Sequence, residues 1–268
     1  MKVEFNLNGK PVELDVDPGE LLMNTLRYKL GLYGVKFGDE DGESGSSAVL
    51  VDGVPVNTAL MLTAQAGGHS IETIESLGEN PDMGWKSSGG LHPIQQAFVD
   101  TGAIQSGYST PGMILAAKAL LDSTLHPTEE QIRDAFSGIL DRETGYVKPV
   151  QAVLRAAAIL RGERVDPIER PIPVDPDSLK PGGPEEAPPE EISGGGPAVQ
   201  TKVDVMPRIQ VAQGGHTMQS VGQPEPKLDG SKLAQGKPAF AADFEMRGML
   251  IGKVLHSPVA HARIKKID

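Results

Sequence analysis

The chain has no cysteine. That excludes disulfides, thiolate catalysis, cysteine-ligated iron–sulfur clusters and cysteine-based zinc sites. Aromatic residues are scarce, with one Trp, four Tyr and six Phe, so any core is mostly aliphatic. Positive charge is also short: 25 Lys and Arg stand against 36 Asp and Glu, a net charge of −11. Nucleic-acid binding and docking on anionic lipid both need clustered cations, and neither fits that balance. The longest apolar run, Met113 to Leu121, is interrupted by Lys118 and is too short to cross a membrane. The start, Met1-Lys2-Val3-Glu4-Phe5-Asn6, carries no hydrophobic signal region, which reads as a cytoplasmic protein.

What is present is enough for two small domains: 268 residues, 38% of them hydrophobic. Val3, Phe5 and Leu7, then Val12, Leu14 and Val16, alternate with polar residues around Asn8-Gly9, a hairpin signal. Leu22, Leu26 and Leu30 share a helical face that Gly31 ends. Ala48–Val51 and Val54–Val56 around Asp52-Gly53 predict a second hairpin, and Ile71–Ile74 a further strand. Residues 90–162 change period. Pro93, Thr110-Pro111, the capping box Thr128-Glu129-Glu130-Gln131 and Pro149 open four amphipathic helices; the third carries its apolar face through Ile139 and Leu140. From Pro167 to Pro226 stand 12 of the chain's 22 prolines, the composition of an extended linker. Beyond it, Met249-Leu250-Ile251 and Val254-Leu255 predict a buried strand.

Most catalytic motifs fail. No GxGxxG occurs and no Gly-Lys precedes Ser or Thr. Gly42-Glu43-Ser44-Gly45-Ser46 lacks the last glycine of a nucleophile elbow. An EF-hand counted from Asp39 would need Gly and Glu where Ser44 and Leu50 stand. His69, His92, His126, His216, His256 and His261 are scattered; His256 and His261 lack a third ligand, so no metal site is expected. Trp85 lies in a polar loop and reads as an interface-packing residue.

Four stretches carry a resemblance. They are Lys36-Phe37-Gly38 through Val56-Asn57, Gly102 through Met113 (GAIQSGYSTPGM), Ser137-Gly138 through Thr144-Gly145-Tyr146, and Gly248-Met249-Leu250 through His261-Ala262-Arg263-Ile264. In this order they resemble the iron–sulfur portion of the molybdenum hydroxylases, the xanthine dehydrogenase and aldehyde oxidoreductase family, followed by the opening of its molybdopterin-binding region. The resemblance implies an α+β chain in four parts. Residues 1–78 would form a β-grasp ferredoxin-like domain and 79–164 an all-α four-helix domain. Residues 165–231 would be a Pro/Gly-rich linker, and 232–268 the N-terminal fragment of a partial α/β domain.

The departure is equally specific. The family's first motif has four cysteines where this chain has Asp39, Ser44, Ser47 and Ala59; its second has four where this chain has Ser106, Ser109, Asp141 and Glu143. The framing Gly38, Gly42, Gly45, Gly107, Pro111, Gly138 and Gly145 remain. Cluster ligation needs thiolates, so both [2Fe–2S] clusters are expected to be absent. The resemblance implies no catalytic residue in this chain, with molybdopterin held in downstream domains. It places Gln105 and Glu143 near the pterin, where a carboxylate can accept hydrogen bonds from an amino group. Arg142 or Arg155 pairing with Asp141 and Glu143, or plain solvent exposure, is the other reading.

Two functions follow. One is a non-catalytic, structural portion of a molybdenum hydroxylase-like oxidoreductase. It would brace a molybdopterin domain or subunit, while electrons leave through a separate electron-transfer subunit. The other is a stand-alone docking or scaffold protein. An isolated strand pair at 249–264 would leave unpaired edges, which favours the first.

Overall fold

Two hairpin turns set the sheet. Asn8 and Gly9 both take positive φ (50° and 79°), as do Asp52 and Gly53 (50° and 82°), the backbone that two-residue hairpins require. The first joins β1 (Lys2–Leu7) to β2 (Lys10–Asp15) in antiparallel register from Lys2↔Asp15 to Leu7↔Lys10. The chain then forms a single α-helical turn, α1 (Leu22–Asn24), which widens into a π-helical turn over Thr25–Lys29. The second hairpin joins β3 (Ala48–Val51) to β4 (Val54–Asn57), and β5 (Ser70–Glu72) runs parallel to β1. The strand order is β2-β1-β5-β3-β4. Leu22, Met23 and Leu26 are buried against Val3, Phe5, Leu7, Val49, Val51 and Ile71. Each such side chain contributes roughly 1.5–3 kcal/mol on leaving water.

The computed structural model describes residues 1–39, 41–80, 85–86, 90–166, 227–244 and 246–266. The interior of the linker read over 165–231, His216 and the side chain of Trp85 lie outside the described residues. After a short pair, β6 (Glu79–Asn80) with β7 (Trp85–Lys86), the chain becomes helical. The helices are α2 (Pro93–Thr101), α3 (Thr110–Ser123), α4 (Glu129–Ala135) and α5 (Val147–Leu160). His92 Nδ1 accepts from Ile94 N at 3.3 Å at the start of α2, and Gly102 closes it with φ 68°. Thr128 Oγ1 accepts from Gln131 N at 3.2 Å while Gln131 Oε1 accepts from Thr128 N at 2.8 Å, the reciprocal cap of α4. Leu50, Ile74 and Leu77 of the sheet region share one apolar cluster with the helices. Among the described residues no helix is long and apolar enough to cross a membrane.

Two expectations are corrected. Helix α4 stops at Ala135, and Leu140 is 60% exposed. The chain has to turn there, because Gly138 meets Gly45: a Cβ on Gly45 would lie 2.0 Å from Gly138 O. The buried strand expected at Met249–Ile251 and Val254–Leu255 is not a strand. Leu250 and Leu255 are 95% and 98% exposed, and no described residue pairs with their backbone as a sheet neighbour. An extended segment without such a neighbour has no ladder to join.

The segment that does pack is 227–244. Helix α6 (Gly230–Ala234) begins inside the stretch read as linker, and its Leu233 and Ala234 join the helical core. Farther on, Asp243 is enclosed. Its carboxylate accepts from Arg27 Nη2 at 2.6 Å and Lys36 Nζ at 2.9 Å, and all three side chains are at most 1% exposed. Burial pushes the Asp243 carboxyl up, but hydrogen bonds from Lys36, Ala239 N, Arg27 and Phe240 N outweigh it and hold the pKa at about 2, below the ordinary 3.8.

Removing Asp243 leaves two buried cations. Asp243→Ala is expected to lower stability by about 3–5 kcal/mol in urea unfolding. The apolar triple Arg27→Met, Lys36→Met, Asp243→Leu should stay near the original stability, and an unchanged midpoint for Asp243→Ala would contradict this account. The sign with pH follows from the depressed pKa. The stabilisation, about 2 kcal/mol, is complete above 3.8 and is lost as pH falls toward 2.

Candidate functional site

The eight positions where the resemblance implies cluster ligands fall into two groups of loops. The first is the loop 38–47 with the end of β4. Asp39 accepts from Glu43 N and Ser44 N, both at 2.8 Å, and its pKa is lowered, first by the Ser44 side chain and then by these backbone donors. Ser44 Oγ lies 3.0 Å from Ser46 Oγ. Ser47 Oγ donates to Asn57 Oδ1 and accepts from Ala59 N at 3.1 Å. Asn57 Nδ2 in turn donates to Gly42 O at 2.7 Å. Gly38 lets the two hydroxyls approach the backbone: a Cβ there would sit 2.2 Å from Ser46 Oγ and 2.3 Å from Ser44 Oγ and would force both to turn away.

The second group joins the loop before α3 to the loop after α4. Ser106 Oγ donates to Asp141 Oδ2 at 2.7 Å. Ser109 Oγ lies 3.0 Å from the same oxygen and 2.7 Å from Glu143 Oε2. Gln105 N donates to Glu143 Oε1. Tyr146 braces the second loop, its hydroxyl accepting from Asp141 N at 2.7 Å. The two groups touch: Leu140 N donates to Ser44 O at 2.9 Å, and Tyr108 OH donates to Phe37 O at 2.5 Å. Arg155 pairs with Asp100 at 3.5 Å, and Arg142 is exposed.

Ser106, Ser109, Asp141 and Glu143 are therefore brought together, as are Asp39, Ser44, Ser47 and Ala59 around their own loop. Neither set fits a [2Fe–2S] cluster. No thiolate is present, and in the second group the side chains at the ligand positions bond directly to one another. Among the described residues no group of three or more His, Cys, Asp or Glu could hold a metal ion. Ser46, Asn57 and Tyr146 complete the networks; they lie within the stretches that carry the resemblance but were not singled out as site residues. Gln105 is exposed, whereas Glu143 is 1% exposed with both carboxyl oxygens engaged.

The second group can hold a shared proton. Ser109 has one hydroxyl proton and two carboxyl neighbours, so with both carboxyls ionised it satisfies only one of them. A proton on Glu143 completes the chain, Glu143 donating to Ser109 and Ser109 to Asp141. Burial holds the Glu143 carboxyl above the ordinary 4.5 and the Asp141 charge adds to that, while donation from Gln105 N and Ser109 Oγ offsets part of it. The native state thus binds this proton more tightly than the unfolded chain, so stability falls as pH rises from 4.5 through the raised value. Glu143→Gln should raise Tm relative to the original chain at pH 8, with the gain vanishing below pH 4.5. A difference that grew toward acid would contradict the assignment.

Comparison with known proteins agrees with this geometry. The family model of the [2Fe–2S] binding domain matches residues 73–154. The probable hypoxanthine oxidase XdhD of Escherichia coli strain K12 is 31% identical over 269 aligned residues, all of this chain and 23% of that protein. The chain thus spans under a quarter of that relative. The nicotinate dehydrogenase small FeS subunit of Eubacterium barkeri is 43% identical over 155 residues, 58% of this chain and 93% of the subunit. The crystal structure of the aldehyde oxidoreductase from Desulfovibrio desulfuricans ATCC 27774 superimposes with a TM-score of 0.56 at 40% identity, covering 61% of this chain and 18% of that one. With a small FeS subunit matched over nearly its whole length, the chain belongs to the xanthine dehydrogenase and aldehyde oxidoreductase family of molybdenum hydroxylases, and carries that family's [2Fe–2S] domain region without a single cysteine.

Proposed function

We propose that this chain is the non-catalytic, cluster-less structural portion of a molybdenum hydroxylase-like oxidoreductase. It braces a molybdopterin-binding domain or subunit and carries no electrons. The observation that supports this reading is the second ligand set. Its four positions hold Ser106, Ser109, Asp141 and Glu143, hydrogen-bonded to one another inside a retained backbone frame. Ser109 and Glu143, the two buried members, are bonded to each other, and a buried polar group without such a partner would be costly. The match to the probable hypoxanthine oxidase along the whole chain supports the bracing role, because it extends past the cluster-type domains.

In this reading the hydroxylation residues lie in the molybdopterin-binding domains, and electrons leave through a separate subunit. Gln105, exposed on the loop before α3, meets the pterin end of the cofactor, and Glu143 positions that loop through the Gln105 backbone N–H. The residues at the former ligand positions relay nothing; they keep the loop in place and exclude water from behind it.

Anaerobic expression with iron and sulfide should give a colourless protein whose thermal transition a chelator leaves unmoved. Stoichiometric iron with acid-labile sulfide would overturn the cluster-less reading. For the pterin contact of Gln105 and Glu143, a cofactor clamp, Gln105→Ala and Glu143→Ala are compared with the original in the full-length, cofactor-loaded protein. Pterin content after gel filtration is expected to fall in both. Unchanged pterin retention and activity in both variants would remove the clamp and leave Glu143 as a structural residue only.

A further inference from the structure

We propose that Glu75 is a proton-operated latch at the junction of the sheet, the helices and the strap (the packed segment 227–244): as the neutral acid it lets Gly34 and Gly236 close on one another, and as the carboxylate it forces them apart. The inference is independent of the bracing role, because it uses no group at a former ligand position and no partner of the chain.

The geometry is that of a carboxyl closed in by backbone. Glu75 stands in the single turn Ile74–Ser76 that follows β5 and is 3% exposed. Its Oε1 accepts from Gly34 N at 2.7 Å. Its Oε2 is buried with no hydrogen-bond partner among the described residues. Two glycines make the enclosure. A Cβ on Gly34 would lie 2.8 Å from Glu75 Oε1 and 2.1 Å from Ile74 Cγ2. One on Gly236, whose φ is 72°, would lie 3.2 Å from the same carboxyl oxygen, 2.9 Å from Gly34 Cα and 2.4 Å from Ile74 Cγ2. Two residues on, Leu77 belongs to the helical core, and Gln95 Nε2 reaches both Leu77 O at 3.4 Å and Ala234 O at 2.9 Å. Sheet loop, helices and strap therefore meet at this one carboxyl.

The surroundings favour the acid form. The groups facing Glu75 are Thr73 just before its own turn, Gly34 N and Lys36 from the loop after the π-helical turn, and uncharged Gly236 from the strap. Lys36 already gives its ammonium to Asp243 at 2.9 Å, and Arg27 Nη2 donates to the same carboxylate at 2.6 Å. Burial holds the Glu75 carboxyl above the ordinary 4.5, and the Thr73 side chain, Gly34 N and Lys36 offset only part of that. A carboxylate would put charge on Oε2, which has no donor, and an unpaired charge in a dry enclosure is costly. It is relieved when water enters between Gly34 and Gly236 or when Lys36 leaves Asp243. Either event loosens the strap.

The sign with pH follows. Opening exposes Glu75 to water, where it ionises at its ordinary value, so opening releases a proton. The closed junction is at full strength below 4.5, and its opening constant grows about tenfold per pH unit from there up to the raised value.

The latch is tested by amide hydrogen exchange of the intact chain from pH 5 to pH 8, corrected for the intrinsic rate. The original protein is compared with Glu75→Gln, whose amide keeps the neutral shape. Gly34 N and Gly236 N report the junction, since they donate to Glu75 Oε1 and Leu233 O. Their protection is expected to fall by at least about tenfold over that range in the original chain and to stay constant in Glu75→Gln. Equal pH dependence in the two proteins overturns the proposal. So does protection at Gly34 and Gly236 equal to that of Thr110–Ser123, because the proton would then leave only on global unfolding. If Glu75→Gln does not fold, infrared spectroscopy of Glu143→Gln decides. With Glu143 replaced, the carbonyl band of a protonated carboxyl should remain at pH 7, and its absence overturns the proposal equally.

Discussion

The carboxylate of Asp243 is the point on which the arrangement of the chain depends. It is the counter-ion that meets two guanidinium and ammonium groups withdrawn from water, one from the π-helical turn at Arg27 and one from Lys36 at the entrance of the first loop site. Placing Arg27 and Lys36 side by side would be prohibitive without it, because a buried charge left unpaired costs several kcal/mol, of order 3–5. The strap carrying Asp243 also places Phe240 on Tyr108, which lies in the second loop site. One ion-pair cluster therefore sets the positions of residues flanking both sites at once.

At both sites, side chains and backbone groups bond to one another around the positions where the family's motif has cysteines. Metal–sulfur bonds would tie four chain positions covalently. Here the ties are hydrogen bonds, each worth about 1 kcal/mol net, and their number makes up for their weakness. Asp39 closes its loop on two backbone amides, Ser47 links Asn57 to Ala59, and Ser109 bridges two carboxyls. Close packing does the rest: at Gly45, facing Gly138 O, there is no room for a side chain, and the two loop groups are in direct contact there.

Some of this was legible in the residues. Asn8-Gly9 and Asp52-Gly53 mark their hairpins because positive φ at both central positions is a local demand that few residue pairs meet. Thr128 with Gln131 marks the start of α4 for the same reason, two side chains satisfying backbone donors three residues apart. The spacing of Asp39, Ser44, Ser47, Ala59 and of Ser106, Ser109, Asp141, Glu143 was legible against the family's motif. The apolar periodicity held for Ile132, Phe136 and Ile139 but misled at Leu140, because the helix ends at Ala135 where Gly138 comes up to Gly45, and Leu140 then faces outward. The apolar runs at 249–255 were misleading in another way: strand propensity has no outlet without a neighbouring strand.

The sequence by itself determined the turns, the caps, the absence of thiolates and the chemistry available at each former ligand position. These depend on residue type and on neighbours a few positions away. Tertiary structure alone decided which groups would share protons and charges. Arg27 and Asp243 are 216 positions apart and Gln105 and Glu143 are 38 apart. No local propensity encodes such pairings; they exist because packing removes water from both partners, and only the folded chain brings them within hydrogen-bonding distance.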